Sequence, residues 1–406
     1  MISNEFSKLG LSGPLVKVIE KLGIVTPTDI QARTLPPAMA GKDIIASAET
    51  GSGKSAAFLL PIIERLKRPG HLRALILAPT RELAIQLDSN AKSFCEASGL
   101  RSTAIVGGEK YAGQTRALGS GVDILIATPG RLNDLIERGN VPLKLVEVFV
   151  LDEADRMLDM GFLPQVRRIV ARLPRKRQTM LLTATLSRAV ERLASEMVTD
   201  GVRIEAGPPA RTVATLSQKA FPVLGHAKIP LLLNLLGQHP DGSFLVFAQT
   251  KRCADRLSHV LAANQHQVVT LHSDRSQSQR NTALNKFRSG NARVLVATDV
   301  AARGIDVDGI SFVVNYDVPA TVEDYIHRVG RTARAGRDGC AVTLVSPEEE
   351  FMLAAIERTA GISLERGRLK GFSDGRSDAQ VKMASEIALL RGPSGSFSHR
   401  SRASRS

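Results

Sequence analysis

Ten short apolar runs divide the chain into two series: DIIASA, ALILAP, VDILIAT, VEVFVL and RQTMLLT, then, beyond GPPARTVAT at 207–215, SFLVFAQT, QVVTLH, RVLVATD, SFVVNYD and CAVTLVS. Runs of this length, rich in aliphatic and β-branched residues, suit strands buried on both faces of a sheet. The helical patterns between them supply the crossovers that parallel pairing demands. The chain is thereby confined to the α/β class, and two series imply two domains. The halves echo each other, ALILAPT with FLVFAQT and DILIATPGR with VLVATDVAARG, as a duplicated domain would. GPPARTVAT lacks periodicity and reads as a linker. We expect domains at 1–206 and 216–372, the linker at 207–215, and a basic, disordered tail at 373–406 whose closing RGPSGSFSHRSRASRS holds four arginines and no acid.

A net charge of +14 points to a polyanionic partner. Cys95, Cys253 and Cys340 are far apart and form no CxxC pair, so neither a disulfide framework nor a zinc site is indicated, and a reducing cytoplasm fits. MISNEFSKLG lacks a signal-peptide core. No stretch approaches the roughly 20 apolar residues that span a bilayer, so a cytoplasmic protein with no membrane partner is expected.

ASAETGSGKSAAFLLPII, from Ala46, passes from an apolar run through a glycine turn into a helical pattern. Gly51 and Gly53 allow backbone angles that turn successive N–H groups toward phosphate oxygens, and the helix N-terminus adds its positive field. Lys54 would reach the β- and γ-phosphates, and the Ser55 hydroxyl would ligand Mg²⁺. The strict P-loop pattern asks for glycine where Ala48 stands, yet Gly-Ser-Gly-Lys-Ser is intact. The candidate cradle is therefore Ala48, Thr50, Gly51, Ser52, Gly53, Lys54 and Ser55.

Further on, the apolar Val146 to Leu151 runs into Asp152, Glu153 and Asp155. Acids at a helix start usually cap it and complement its dipole. These, however, follow a run of parallel-sheet character, and ligands of open α/β sheets sit at the carboxyl ends of strands. An acid pair there suits hydrated Mg²⁺. With a phosphate cradle in the same half, Asp152 is read as the Mg²⁺ ligand and Glu153 as the base that orients and deprotonates the attacking water.

These residues, with others in the same order, resemble the DEAD-box RNA helicases from Phe6 to about Ser346. Phe6, Gly23 and PTDIQ (Pro27 to Gln31) are similar to the Q motif, AETGSGKS to motif I, PTREL (Pro79 to Leu83) to motif Ia, Gly107 with Gly108 to the GG element, and TPGR (Thr128 to Arg131) to motif Ib. DEAD (Asp152 to Asp155) resembles motif II and TAT (Thr183 to Thr185) motif III. In the second half, VFAQT ending at Thr250 is similar to motif IV, Gln277 with Arg280 to the Gln-x-x-Arg element, ATDVAARGID (Ala297 to Asp306) to motif V, and HRVGRTAR (His327 to Arg334) to motif VI. The DEADRMLDMGF context is similar to the bacterial RhlE-like group. Four positions depart from the common pattern: Ser55 for Thr, Thr183 for Ser, Ile24 for an aromatic, and Ser273 for Gly. The first two keep a hydroxyl; Ile24 weakens packing on adenine.

The resemblance implies two tandem RecA-like domains, each a parallel sheet flanked by helices, and ATP hydrolysis stimulated by RNA and coupled to local unwinding of short duplexes. Gln31 would pair with adenine N6 and N7, which selects ATP over GTP. Phe6 is either a ring stacked on that base or an ordinary core aromatic. Arg331 and Arg334 correspond to arginine fingers at the departing γ-phosphate, Asp306 to a ribose contact, and His327, Thr183 and Thr185 to the coupling of hydrolysis to RNA. Since the fingers lie in the second half and the cradle in the first, hydrolysis would require domain closure. RNA phosphates and sugars would be held by Pro79, Thr80, Arg81, Gly107, Gly108, Thr128, Gly130 and Arg131, then by Thr250, Thr298, Arg303 and Gly304, without sequence choice. Aromatics make up only 4% of the chain and there is no Trp, which favours backbone grip over base stacking. An ATP-gated RNA clamp or scaffold is a second reading. A small-molecule P-loop kinase is a third, and it leaves HRVGRTAR unexplained.

Overall fold

The computed structural model describes residues 5–48, 51–206, 216–302, 310–333 and 338–375. Thr50, the 207–215 linker, Arg303, Gly304, Asp306, Arg334 and the tail beyond 375 lie outside the described residues. The chain divides into two bodies. The first holds β1 (Ile44–Ser47), β2 (Ala74–Leu77), β3 (Ser102–Ile105), β4 (Ile124–Ala127), β5 (Val148–Leu151), β6 (Gln178–Thr183) and β7 (Val202–Glu205), in the order β3-β4-β2-β5-β6-β1-β7. The second holds β8 (Leu216–Pro222), β9 (Phe244–Phe247), β10 (Val268–Leu271), β11 (Val294–Ala297), β12 (Phe312–Asn315), β13 (Gly339–Val345) and β14 (Glu365–Arg366), in the order β10-β11-β9-β12-β13-β8-β14. Every pairing in both sheets is parallel. Ranked by chain order within its body, each sheet has the same strand sequence, so the echo between the halves is an echo of topology.

Alternation along the strands fills both faces. In the first body Ile76, Ile126, Val148 and Val150 join a core with the helices Gly13–Lys21, Lys54–Leu66 and Arg81–Phe94. Their neighbours Leu75, Leu77, Leu125, Phe149 and Leu151 join another with the helices Pro129–Glu137, Leu163–Val170 and Arg188–Met197. No helix among the described residues is long and apolar enough to cross a membrane.

The apolar runs account for ten of these strands, and β3, β7, β8 and β14 were not among them. β3 and β7 are the two edges of the first sheet, where one face stays partly open and polar residues are tolerated. β8 (LSQKAFP) is half-buried along most of its length, and β14 is two residues long. Asp374 Oδ2 accepts from Leu224 N at 3.2 Å, so contacts of the second body reach into the segment expected to be tail.

Two carboxylates fix where the strands of the first sheet begin. Asp123, fully buried just before β4, accepts from Gly70 N at 2.7 Å and Arg73 Nη2 at 3.4 Å through Oδ1, and from Arg101 N at 2.9 Å through Oδ2. Asp43, just before β1, accepts from Thr179 N at 2.7 Å and Thr199 N at 2.8 Å. Strands held at their starts are held at their ends as well. Replacing Asp123 with Ala strands two backbone N–H groups and a guanidinium, and should destabilise the first body by about 3 kcal/mol. Urea unfolding of both proteins checks this, and a loss below about 1 kcal/mol would mean that water replaces the carboxylate freely.

Candidate active site

In the first body, register pairs Ser47 with Thr183, Leu181 with Leu151, Leu151 with Leu77, and Leu77 with Ala127. The segments that follow these strands therefore leave the sheet side by side. The nucleotide candidates follow β1, β5 and β6, which are adjacent; the candidate RNA contacts follow β2, β4 and β3, which are adjacent in turn. One sheet edge carries both sets, meeting where β5 pairs with β2.

Ala48 N donates to Thr183 O at 3.1 Å, extending the pairing of β1 and β6 by one bond before the chain turns. Gly51 and Gly53 then take φ of 87° and 92°, the left-handed region that glycine enters without strain. A Cβ on Gly53 would also collide with the Gln31 amide. That amide is engaged: Oε1 accepts from Thr28 N at 3.0 Å in a capping box of the helix Asp29–Met39, and Nε2 donates to Gly53 O at 3.2 Å. Gln31 thus ties its helix to the glycine turn, with one N–H and one lone pair to spare for a base. The buried Ser52 Oγ has no hydrogen-bond partner among the described residues, so the glycine turn holds an unsatisfied hydroxyl. Ser55 is half-buried one residue into the helix Lys54–Leu66. Ile24 packs against the first core, and Phe6 is fully buried within it. Of the two readings of Phe6, the burial fits the core aromatic, because no ring surface is left for a base.

Lys54 is buried, and its Nζ donates to the Ala48 carbonyl and to Thr183 O at 3.4 Å. Burial lowers its pKa below the usual lysine value, against the pull of Asp152, Glu153 and Asp155. Burial pushes the Asp152 carboxyl up to about 7, with Glu153 adding to the rise and Lys54 opposing it. Both charges are poorly solvated, a condition that a bound polyphosphate and cation would relieve. Among the described residues no group of three or more His, Cys, Asp or Glu converges on a metal-sized site. A cation at Asp152 and Ser55 would draw its other ligands from phosphate and water, as Mg²⁺ does.

Glu153 has φ 51° and ψ 54°, left-handed geometry that costs a non-glycine residue about 1–2 kcal/mol. Its Oε2 accepts from the almost fully buried Arg156 Nη1 at 2.7 Å, which fixes the carboxylate's direction. Asp155, to which the sequence assigned no role, has a specific one. Its Oδ2 accepts from Ala184 N at 3.0 Å, Thr185 N at 2.9 Å and Thr185 Oγ1 at 3.1 Å, locking the turn after β5 to the turn after β6. Thr183 Oγ1 donates to Thr185 O at 2.8 Å within that turn.

On the other half of the edge, Thr80 caps the helix Arg81–Phe94, accepting from Leu83 N at 3.3 Å, and Pro79 beside it is buried. Arg81 lies against Gly107 and Gly108, where a Cβ on Gly108 would strike the guanidinium. Gly130 is exposed; Thr128 is buried and its N donates to Ile105 O at 3.0 Å. Arg131 is a different case from the phosphate contact the motif implies. It is buried, donates to Glu109 O and Gln114 Oε1 at 3.0 Å each, and stacks over the Tyr111 ring at 4.1 Å. Its guanidinium is committed to joining the Gly108 turn to the helix Pro129–Glu137, and a spacing pattern does not distinguish that use from phosphate binding.

The second body presents Thr250 at the start of the helix Lys251–Ala263, accepting from Cys253 N at 3.1 Å, and half-buried Thr298 after β11. His272 Nε2 lies 3.0 Å from Asp255 Oδ1, and Arg280 Nη2 donates to Ala301 O at 3.3 Å. The helix Val322–Val329 carries half-buried His327 and stops at Gly330. Arg331 therefore lies just past that helix, buried, its Nε donating to His327 O at 3.2 Å. Arg328, unassigned from the sequence, is the better-anchored arginine. It grips Asp299 bidentately at 2.5 and 2.7 Å and donates to Asn315 Oδ1 at 3.1 Å and Asp317 O at 2.8 Å.

Residues 28–193 match the DEAD/DEAH box helicase family, and residues 227–336 match the helicase conserved C-terminal domain family. The chain is 40% identical over 362 residues to the DEAD-box ATP-dependent RNA helicase CshA of Geobacillus kaustophilus, covering 89% of this chain and 78% of that one. It is 38% identical to CshA of Bacillus subtilis, over 89% of this chain and 73% of the relative. Among solved structures, S. cerevisiae Dbp5 bound to RNA and ADP BeF3 superposes with a TM-score of 0.82 at 32% identity, covering 95% of this chain and 99% of the other. Mss116p (NTE and C-tail double deletion) bound to ssRNA and AMP-PNP gives 0.81 at 25% identity, over 94% and 81% of the two chains.

The anchoring of Arg328 is open to a direct test. Arg328→Lys keeps the charge but loses the fork that meets both Asp299 oxygens, and should cost the second body about 3 kcal/mol. Thermal unfolding of the variant should show the second body melting earlier; an unchanged melt would mean that a point charge suffices.

Proposed function

The chain belongs to the DEAD-box ATP-dependent RNA helicases, and from that premise we propose how its own residues divide the work. The observation that carries the reading is the shared sheet edge of the first body, where Lys54, Asp152 and Glu153 neighbour the loops bearing Pro79, Thr80, Arg81, Gly107, Gly108, Thr128 and Gly130. Lys54, released from the Ala48 and Thr183 carbonyls, binds the β- and γ-phosphates of ATP. Ser55 and Asp152 hold Mg²⁺, whose charge offsets that of the phosphates. Glu153, aimed by Arg156, takes the proton of the attacking water. Gln31 is placed to read adenine while it holds the glycine turn, so base identity and cradle geometry are linked. Arg331, with Arg334, meets the charge that develops as the γ-phosphate departs. The catalytic set is divided between the two bodies, so turnover depends on both acting on one nucleotide.

RNA enters this cycle where β5 pairs with β2, beside the Asp155 clamp. The loops that hold its phosphates follow β2, β3 and β4, and the clamp ties the Asp152–Asp155 segment to Thr183–Thr185 on the adjoining strands. Movement of the Asp152–Asp155 turn on nucleotide binding is transmitted to the Thr183–Thr185 turn through one carboxylate. RNA is preferred to DNA, binding is indifferent to sequence, and closing on ATP bends and separates a short duplex in the cytoplasm.

Single-stranded RNA should stimulate ATP hydrolysis at least tenfold where single-stranded DNA does not. Glu153→Gln should lower the stimulated rate by about 10²–10⁴, the usual worth of a general base, and Arg331→Ala by about 10³ or more, as for other arginine fingers. Circular dichroism controls for the Glu153–Arg156 pair, which the first variant weakens. Hydrolysis indifferent to RNA would sink the coupling, and normal ATPase without displacement of a short duplex would favour the clamp reading.

A further inference from the structure

Between Arg167 and Arg177 the chain carries six basic residues and no acid: Arg167, Arg168, Arg172, Arg175, Lys176 and Arg177. None belongs to the motifs above. Val166, Ile169 and Leu173 anchor the segment in a core of the first body. The charges are left outside, the first five exposed and Arg177 half-buried. Beside it, the helix Arg188–Met197 buries Val190, Leu193, Ala194 and Met197 in the same core and exposes Arg188 and Arg192. Arg167 joins the two elements, bidentate to Glu196 at 2.9 and 2.7 Å.

The acids of this face are largely committed. Glu196 is held by Arg167, Glu191 by Arg203 at 3.3 Å, and Asp43 by the N–H groups of Thr179 and Thr199; Asp200 stands at the rim. Arg168, Arg172, Arg175, Lys176, Arg188 and Arg192 have no ion-pair partner among the described residues. A depression of about 540 Å³ runs along Arg188, Glu191, Arg192 and Ser195. Another, of about 770 Å³, borders the far end of that helix and is lined by Lys42, Arg175 and Arg177. Arg188 follows the Thr183–Thr185 turn at the catalytic edge, while Arg175 and Arg177 precede β6 at the opposite edge. The six residues of β6 set the distance between the edges at roughly 20 Å.

We propose that this face is a second RNA track, which binds the phosphodiester backbone of a flank of the strand whose centre lies on the strand-end loops. The inference rests on the function proposed above and extends it to a surface with no motif residue. Guanidinium forks match phosphate oxygens bidentately. A second copy of this chain, at +14, is repelled, as is the acid-free segment 391–406. At the stacked rise of ~3.4 Å per nucleotide, a span of roughly 20 Å accommodates at most about six nucleotides. Each phosphate met adds affinity by counterion release, without sequence choice.

The test compares the full chain with R168Q/R172Q/R175Q/K176Q, four exposed positions, one helical and three in the turn that follows, where Gln removes the charge and keeps a polar side chain. Both proteins are titrated with a short single-stranded RNA, with the same RNA extended at both ends, and with phosphatidylserine-containing vesicles. The extended RNA should bind the variant about tenfold more weakly at low salt, with a salt dependence shallower by about two to three, at ~0.7 per single-strand phosphate. Short-RNA affinity and the ATPase rate at saturating short RNA should not change. The track is overturned by unchanged affinity for the extended RNA, by equal losses on both lengths, or by loss of vesicle binding with RNA binding intact. If short RNA fails to stimulate even the wild-type ATPase, the function proposed above fails, while the binding comparison still decides the face.

Discussion

A parallel sheet delivers the end of every strand to one edge, and in the first body that constraint brings Lys54, Asp152 and Glu153 together. Neither Lys54 nor Asp152 could find the other from local sequence. They meet because β1 and β5 flank β6 in register, with Asp43 and Asp123 fixing the opposite ends. The price of the arrangement is burial: groups that must carry charge sit against strands with no exposed surface. Burial is the largest cause of the pKa shifts of Lys54 and Asp152, and it drives them in opposite directions.

Against this strain the site sets short, charge-assisted bonds. Arg156 holds Glu153 in a backbone conformation that a non-glycine residue avoids, and Asp155 gives one oxygen to three donors on the next turn. Breaking either bond would leave a buried charge unmet, which costs more than the bond contributes when made. The geometry is thus maintained before any ligand arrives, as electrostatic preorganisation requires.

What the sequence made legible follows from how local each signal is. Apolar runs buried on both faces announced ten strands, and GSGKS and DEAD announced their chemistry because phosphate cradles and metal ligands depend on adjacent residues. Edge strands such as β3 and β7 were not legible, since half-open faces admit polar residues. Arginines were the least legible of all. Arg131 and Arg328 are spent inside their own bodies, and only the partners Gln114 and Asp299, distant in sequence, reveal it. Phe6 offered two readings, and burial, which no pattern of spacing reports, favours the core one.

The two sheets share a strand order without sharing a chemistry, and one lysine shows where they part. β1 leads into a helix whose first residue is Lys54; β8, of equal rank, leads into the helix Lys228–Gln238, whose first residue is Lys228. Both are buried. Lys228 Nζ donates to Tyr316 O at 2.8 Å, just past β12, and to Glu349 Oε2 at 2.5 Å, whose carboxylate also accepts from Ser346 N at 2.9 Å. The charge of Lys228 is therefore met by a bonded carboxylate inside its own body, and phosphate has nothing to add. Among the described residues Lys54 bonds only to two carbonyls, beside an Asp152 carboxylate that burial disfavours and an unsatisfied Ser52 hydroxyl. A polyphosphate with its cation improves that balance and would worsen the other. This difference between two like-ranked lysines supports the proposal that the nucleotide is held by the first body, with the second supplying guanidinium groups.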